Sequence, residues 1–240
     1  MKRTILILAL IAAASAAVFA YNDNPLRVSD SEYIALMDIA RVNNMSERTF
    51  TRSGVIRRYG NHVEGLNLKR MNITRLPGSI SRLTYLERLD VSDNRISELP
   101  TEIGRLNRLE YLDVSYNRLR HFPREIRNLR YLRTLLAEHN DLMDLPYSFD
   151  DLRNLTTLNL RNNNITSLPS GFDRLSSLRD LDVRGNRFYK DPWPVFDRMR
   201  NLRDVKCDFR RPPKRDDRRP GTVPPPPKRD PYGRPLPPRR

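Results

Sequence analysis

Apolar residues recur along most of the chain with a period of 23 positions. One copy of the pattern carries apolar side chains at Leu86, Leu89, Val91, Ile96, Leu99, Ile103 and Leu106. Clear copies also begin at Leu109, Leu132 and Leu155, with a looser copy at Val63 and a degenerating copy at Leu178. A single copy cannot bury its own apolar side, so the copies must stack on one another. A fixed period of this length therefore indicates a solenoid.

Each copy is predicted to contain a short strand, a bend and a return segment. The LxxLxL spacing alternates apolar residues, which therefore line one face of a strand that pairs with the next copy. An asparagine follows the strand in five copies, at Asn94, Asn117, Asn140, Asn163 and Asn186. A buried carboxamide at this bend supplies two donors and an acceptor to backbone groups that leave the strand. The later LP and IxxL positions predict a turn and a short helical or 3₁₀ segment.

These residues resemble the leucine-rich repeat family in its 23-residue form, LxxLxLxxNxLxxLPxxIxxL. The resemblance covers residues 63–209, with about six repeats followed by a C-terminal cap. It implies an α/β solenoid, a horseshoe with a concave parallel β-sheet and short helical or 3₁₀ segments on the convex side. The resemblance also implies that a protein or peptide ligand binds on the concave face.

Residues 21–62 do not share the period and are predicted to form an N-terminal helical cap. Ser29 and Glu32 have the spacing of a capping box, and a helical apolar face then continues to about Asn44. The following segment, SGVIRRYGNHVEGLNL, resembles the lead-in of plant-type leucine-rich repeat caps, in which a hairpin runs into the first repeat strand. Met71 stands where the first copy should have its asparagine, as expected for a terminal unit.

The last repeat departs from the pattern, and a C-terminal lid is predicted there. Leu202, Val205 and Cys207 imitate the LxxLxL spacing and predict a seventh repeat strand, while Trp193 and Phe196 are expected to seal the last layer. The chain has one cysteine, which excludes an internal disulfide. An inert buried thiol is the expected state of Cys207, with intermolecular pairing or a chemical role as alternatives.

The first 20 residues have the layout of a secretory signal peptide. Lys2 and Arg3 precede an apolar run, and Val18 and Ala20 occupy the small-residue positions before a cut at Tyr21. An uncleaved membrane anchor is the alternative, although the run is short for a spanning helix. The sequence therefore predicts an exported protein that is periplasmic, cell-surface or secreted, and the short signal favours a bacterial source.

Residues 210–240 form a basic, proline-rich tail. They contain 11 prolines, and their 11 Lys and Arg residues against 3 Asp give +8 of the formal net charge of +15. Since the segment has no apolar set to bury, we expect it to be disordered with a polyproline II bias. Such a tail can bind an anionic polymer or a membrane surface, or it can serve as a solubilising extension.

No catalytic or metal-binding pattern was found in the sequence. The three histidines are isolated, and zinc spacings, phosphate-binding glycine loops and nucleophile elbows are missing. We therefore expect a protein that is not an enzyme, with no cofactor, no metal and no small-molecule substrate. A convergent acid–base pair in a pocket would revive a hydrolase as a third possibility.

The remaining candidate site is the concave face, onto which the polar strand positions should project. The candidate ligand-binding residues are Arg88, Asp90, Asp93, Tyr111, Asp113, Tyr116, Leu136, His139, Arg161, Asp182 and Arg184. Aspartates and tyrosines of the second and third repeats are expected to be exposed together, because aromatic side chains flanked by charge are typical of protein-recognition surfaces. Ordinary solvated strand residues are the alternative. The sequence thus predicts an exported protein-binding module, with a polyanion-binding or cell-envelope-binding tail as the competing function.

Overall fold

The computed structural model describes residues 24–210, which form one eight-stranded sheet with its strands in sequence order. The strands are β1 (Ile56–Tyr59), β2 (His62–Asn67), β3 (Arg88–Asp90), β4 (Tyr111–Asp113), β5 (Thr134–Leu136), β6 (Thr157–Asn159), β7 (Asp180–Asp182) and β8 (Asp204–Lys206). β1 pairs with β2 in antiparallel fashion, and every later pair is parallel. The predicted solenoid with seven repeat strands is confirmed. The predicted signal peptide and residues 211–240 of the predicted tail lie outside the described residues.

The 23-residue period sets the register, because equivalent residues of successive repeats become direct neighbours. Leu89 pairs with Leu112, which pairs in turn with Leu135. These leucines point away from the concave face and are fully buried. Every repeat adds one such layer to a continuous apolar core, so each unit is stabilised by its neighbours.

The repeat asparagines bond the backbone between neighbouring units, as predicted. The Asn117 side-chain oxygen accepts a hydrogen bond from the Ile96 N–H at 2.9 Å, while its amide nitrogen donates to the carbonyls of Val91 and Val114. In the first repeat, where Met71 replaces the asparagine, the side chain of Asn43 instead accepts from the N–H of Thr74 at 2.8 Å. An asparagine of the cap therefore bonds the return segment of the first repeat.

A helix, α1 (Asp30–Val42), covers the N-terminal end of the solenoid. The predicted capping box is present, with the Glu32 side chain accepting from the Ser29 N–H at 3.3 Å, and the Ser29 hydroxyl also donates to Glu32 at 2.7 Å. Glu32 is buried, and its other oxygen accepts from the N–H of Val63 at 3.1 Å. The capping residue thus also ties α1 to β2.

Short 3₁₀ segments form the return side of the repeats. They span Gly78–Arg82, Thr101–Arg105, Arg124–Asn128, Tyr147–Asp151 and Phe172–Arg174, and a further one, Glu47–Thr49, lies in the N-terminal region. A proline precedes each of the first four repeat segments, where its fixed φ suits the start of a turn. None of the helices within residues 24–210 is long and apolar enough to cross a lipid bilayer.

The C-terminal end is closed less completely than predicted. In the last unit α2 (Trp193–Phe196) replaces the 3₁₀ segment, and both of its aromatic rings are buried in an edge-to-face contact at 5.6 Å. Cys207, however, is only half-buried, which corrects the prediction of a buried thiol. The reason is that the residues described beyond β8 add no further strand to cover its layer. Burial nevertheless raises the pKa of the Cys207 thiol, which lowers its reactivity.

Candidate functional site

The concave face carries two parallel rows of side chains that follow the register of the sheet. The outer row contains Gly65, Arg88, Tyr111, Thr134, Thr157, Asp180 and Asp204. The middle row contains Asn67, Asp90, Asp113, Leu136, Asn159, Asp182 and Lys206. Neighbours within a row lie about 4.8 Å apart, so each row acts as a line of adjacent contacts. The structure therefore brings Arg88, Asp90, Tyr111 and Asp113 together, as the sequence predicted.

A cation–π pair occupies the outer row at the N-terminal end of the face. The guanidinium carbon of Arg88 lies 3.9 Å from the centroid of the Tyr111 ring. The Tyr111 hydroxyl lies 3.4 Å from a carboxylate oxygen of Asp113. Burial, followed by the charges of Asp113 and Asp90, raises the pKa of Tyr111 to about 12 despite Arg88. The phenol therefore stays protonated and keeps a hydrogen to donate.

Asp113 is buried, with 9% of its surface exposed, which corrects the prediction that it is exposed beside Asp90. One reason is that its oxygen turns back onto the chain and accepts from the Ser115 N–H at 2.9 Å. Burial, with a contribution from the Asp90 carboxylate directly opposite, raises the pKa of Asp113 in spite of the hydrogen bonds from Ser115. The pair thus holds two acidic groups side by side, one of them partly desolvated.

The middle-row side chains have a local structural role that the sequence analysis missed. The Asp90 carboxylate accepts from the Ser92 N–H at 2.9 Å, and Asn159 and Asp182 bond the N–H two residues later in the same way. This is the Asx turn, which aspartate and asparagine both support. The signal was available in the sequence, because Asn or Asp occupies every position of the middle row except Leu136 and Lys206. A turn needs an oxygen acceptor and does not need a negative charge.

A third column runs along the ends of the strands, where the backbone is left-handed. Its members, all with positive φ, are Arg70, Asp93, Tyr116, His139, Asn162 and Gly185. Asp93 accepts from the Arg70 guanidinium at 2.9 Å and is therefore neutralised within the column. Asn, Asp and Gly are the residue types that tolerate this conformation, whereas a bulky residue there is uncommon. Tyr116 and His139 are thus the aromatic members of a column that otherwise holds Arg, Asp, Asn and Gly.

Tyr116 and His139 form an aromatic platform. The rings of Tyr116 and His139 stack at 4.4 Å with an interplanar angle of 13°. The His139 Nε2 lies 2.8 Å from the side-chain nitrogen of Asn162, which fixes the imidazole from its other side. Tyr116 remains 46% exposed. A flat, held aromatic surface therefore borders the concave face next to Asp113.

The C-terminal end of the face is satisfied internally. The guanidinium of Arg184 donates to both oxygens of Asp182, at 3.0 and 2.6 Å. Although burial raises the pKa of Asp182, these bonds outweigh it and hold the pKa below its ordinary value. Arg161 is exposed, and Leu136 is half-buried in the middle row between Asp113 and Asn159. Of the predicted cations at this end, Arg184 is therefore already paired with an aspartate of the same chain.

The surface also has openings that were not predicted. A cavity of about 250 Å³ lies at the N-terminal end of the face, between Arg57 and Tyr111 and beside the bare backbone of Gly65. A larger open cleft of about 1510 Å³ lies away from the sheet, among return loops between Arg120 and Arg187. Within the described part of the chain, no three His, Cys, Asp or Glu side chains converge to hold a metal ion.

The fold and this face together define a repeat solenoid with an open parallel sheet. Family models match the chain at residues 102–219, described as a leucine-rich repeat region, and at residues 85–106, described as a leucine-rich repeat. The chain is a leucine-rich repeat protein. Comparison with curated proteins gives no match.

Solved structures agree with this assignment. A leucine-rich repeat protein of Leptospira interrogans is 31% identical, with a TM-score of 0.58, over 62% of this chain and 39% of that one. The leucine-rich repeat ectodomain of the receptor kinase SOBIR1 from Arabidopsis thaliana is 24% identical with the same TM-score, over 75% of this chain and 97% of that one. The chain thus spans well under half the length of the Leptospira protein.

Proposed function

We propose that this protein binds a protein or peptide partner through the N-terminal half of its concave face. Leucine-rich repeat folds commonly serve as protein-interaction modules. The observation that carries the proposal is the pair of aromatic contacts, Arg88 on Tyr111 and Tyr116 on His139, that flank Asp113. Rigid aromatic and arginine side chains are the residues that most often dominate protein–protein binding energy.

The charges of this surface favour a basic or polar segment as the partner. Asp90 and Asp113 lie directly opposite each other without an arginine or lysine ion pair in the described chain, and like charges in that arrangement are mildly destabilising. A cationic side chain placed over the pair relieves the repulsion on binding. Tyr116 supplies contact area at the border, and Leu136 supplies an apolar contact in mid-sheet.

The proposal includes export of the protein to the periplasm, the cell surface or the medium. The signal-like residues 1–20 support it. The SOBIR1 structure supports it more weakly, because that chain is described as the ectodomain of a receptor kinase. We propose further that the protein is a binding scaffold which catalyses no reaction.

The competing function is binding of an anionic polymer or membrane surface through residues 210–240. It rests on the sequence of the tail and its charge of +8. Salt dependence separates the two functions. Binding through the tail weakens steeply as salt increases, since it releases many counterions, whereas binding through the concave face weakens less.

A pull-down from cell-envelope extract tests the concave-face proposal. Tyr116→Asn removes the aromatic platform and fits the left-handed backbone, because Asn162 occupies the same position two repeats later. Tyr189→Asn, at an exposed tyrosine on the return side, is the matched control. A partner captured by the wild type and by Tyr189→Asn, and lost with Tyr116→Asn, supports the proposal. Equal capture by both variants contradicts it and directs attention to Arg161.

A further inference from the structure

One edge of the solenoid carries a row of arginines that the concave face does not use. The arginine edge consists of Arg130, Arg133, Arg153, Arg179, Arg200 and Arg203, which flank the first leucine of successive repeats. All six residues are exposed. They lie where the chain enters the strands, on the opposite side of the sheet from the repeat asparagines.

The backbone aligns these arginines across the repeats. The Thr156 N–H donates to the Arg133 carbonyl at 2.8 Å, the Arg179 N–H to Thr156 at 2.9 Å, and the Arg203 N–H to Arg179 at 2.8 Å. These four residues are therefore successive rungs of one ladder, about 4.8 Å apart. Arg130, Arg153 and Arg200 precede the same leucines by two positions and form a second line beside the first.

Most of this charge is not neutralised by the protein. Arg133 lies 3.5 Å from Glu110, and no other member of the arginine edge has an ion pair among residues 24–210. Asp180 and Asp204 follow two of the arginines but contact Thr157 and Lys206 on the concave face. Five of the six arginines therefore keep a positive charge that no ion pair in the described chain neutralises.

The charge is not a by-product of the repeat. In the second and third repeats the equivalent positions hold Thr84, Glu87, Asn107 and Glu110, so these positions are neutral or acidic there. The repeat pattern places a solvent-exposed residue at these positions and does not require arginine. A change from acidic to basic along one edge therefore needs an explanation other than the fold.

An open aromatic site lies at the N-terminal end of the arginine edge. A cavity of about 480 Å³ is lined by Gly104, Arg105, Asn107, Asn128, Arg130 and Tyr131. Tyr131 is 60% exposed. Tyr85, one repeat earlier than Arg108, is already sandwiched between His62 at 3.7 Å and Arg108 at 4.2 Å. Tyr131 is thus the aromatic group on this edge that remains available.

We propose that the arginine edge binds a linear acidic polysaccharide, with one sugar ring held against Tyr131. Arginine pairs in bidentate fashion with carboxylate, sulfate or phosphate groups. The row of arginines extends from the cavity in a line that a linear polysaccharide can follow. The side-chain amides of Asn107 and Asn128 match sugar hydroxyls. This site is distinct from the concave face and does not depend on the function proposed for it.

Two other anionic partners fit the edge less well. Single-stranded nucleic acid is normally held by several aromatic side chains that stack successive bases, and this edge offers Tyr131 alone among the described aromatic groups. A membrane surface would be favoured by aliphatic or aromatic anchors beside the cations, and the arginine edge has no exposed aliphatic member. The observations therefore favour a polysaccharide.

Binding of the full-length protein to heparin, as a linear sulfated polysaccharide, tests the proposal. The test variant changes Arg153, Arg179 and Arg203 to Gln. The control variant changes Arg95, Arg118 and Arg187 to Gln, at exposed arginines without ion pairs on the opposite edge. Both variants lose the same charge and keep the basic tail. Thermal unfolding first establishes that both are folded.

The test variant is expected to bind heparin at least about tenfold more weakly than the wild type. The number of counterions released on binding, given by the slope of log affinity against log salt, should fall by about one per arginine. The control variant should change by less than about twofold, because its arginines lie away from the ligand. Equal losses in the two variants would overturn the proposal, since net charge or the tail would then explain the binding.

A second pair of variants tests the sugar contact and the class of polymer. Tyr131→Ala should weaken heparin binding several-fold, whereas Tyr147→Ala, at an exposed tyrosine outside the arginine edge, should not. Binding of the same variants is then measured to an oligothymidine of about 20 nucleotides, which is long enough for several stacked bases. Their binding to phosphatidylserine vesicles is measured in the same way. A larger Tyr131→Ala effect on either of these than on heparin would overturn the polysaccharide assignment.

Discussion

The two ends of the concave face use the same repeat position in different ways. At the N-terminal end, Asp90 faces Asp113 across paired strands. At the C-terminal end, Asp182 accepts hydrogen bonds from two nitrogens of the Arg184 guanidinium. All three carboxylates form the same Asx turn with the N–H two residues later. The turn is therefore common to both ends. The ends differ in whether an arginine neutralises the negative charge.

This difference separates structural from functional reasons for an aspartate. Asn67 and Asn159 show that a neutral amide forms the turn equally well. Arg184 supplies a local reason for the charge of Asp182, whereas nothing in the described chain pairs with the charges of Asp90 and Asp113 through an arginine or lysine ion pair. An unneutralised pair costs stability, and a ligand that neutralises it regains that stability on binding.

The largest expected effect concerns the scaffold that both ends share. Asn117→Ala should cost ~1–3 kcal/mol of unfolding free energy, because it leaves buried backbone groups of two repeats unpaired. Asn107→Ala, at an exposed asparagine of the return side, should cost far less. Urea unfolding measures both. Equal losses would mean that the asparagine column does not hold the two ends in register.

The next largest effect is expected from removing the ion pair at the C-terminal end. Asp182→Asn should lower the Tm by about 2 °C at neutral pH, because it keeps the turn and loses the charge-assisted pair. The folded-state pKa of Asp182 lies below its ordinary value, so the stabilisation is present above the ordinary aspartate pKa and is lost as pH falls through the folded-state value. Thermal melts across this acidic range should therefore converge. A constant difference would show that the carboxylate charge is irrelevant.

At the N-terminal end, the same kind of substitution is expected to raise the Tm instead of lowering it. Asp113→Asn should raise the Tm by about 1–2 °C at neutral pH, because the folded-state pKa of Asp113 is raised by burial and by Asp90. The advantage of the variant should shrink as pH falls through that raised pKa, where the wild-type carboxyl becomes protonated and its penalty disappears. A lower Tm for the variant at neutral pH would contradict the unneutralised pair.

The smallest effect is expected from the tail. Deleting residues 210–240 should leave the Tm within about 1–2 °C, because the segment lacks an apolar set to pack against a core. Differential scanning calorimetry of the full and shortened chains measures this. A large drop would mean that the tail docks on the repeats, and the comparison of the two ends would then have to include it.

The sequence predicted the scaffold because each repeat obeys a local rule many times over. The 23-residue period determined which leucines meet, and the placement of Asn117 followed from that register. It also brought Arg88, Asp90 and Tyr111 together correctly. Repetition converts weak local preferences into one architecture, so the fold was readable without knowledge of any single side chain.

The site was less readable because its details depend on contacts between particular side chains. The burial of Asp113 depends on how its carboxylate bonds Ser115 and meets Tyr111. The stacking of Tyr116 on His139 depends on a left-handed backbone, which the column of Arg, Asp, Tyr, His, Asn and Gly residues does not specify. The pairing of Arg184 with Asp182 required the rotamer of a long side chain. Sequence spacing fixes none of these.

One measurement tests the central claim, that the N-terminal end of the concave face is the binding surface. Titration calorimetry of a partner recovered by the wild-type protein is compared for Asp90→Asn and Asp182→Asn. The two variants make the same substitution at the same repeat position, and both keep the turn. We predict that Asp90→Asn weakens binding by about tenfold and that Asp182→Asn changes it by less than about twofold. Full affinity with Asp90→Asn, or a larger loss with Asp182→Asn, would contradict the claim.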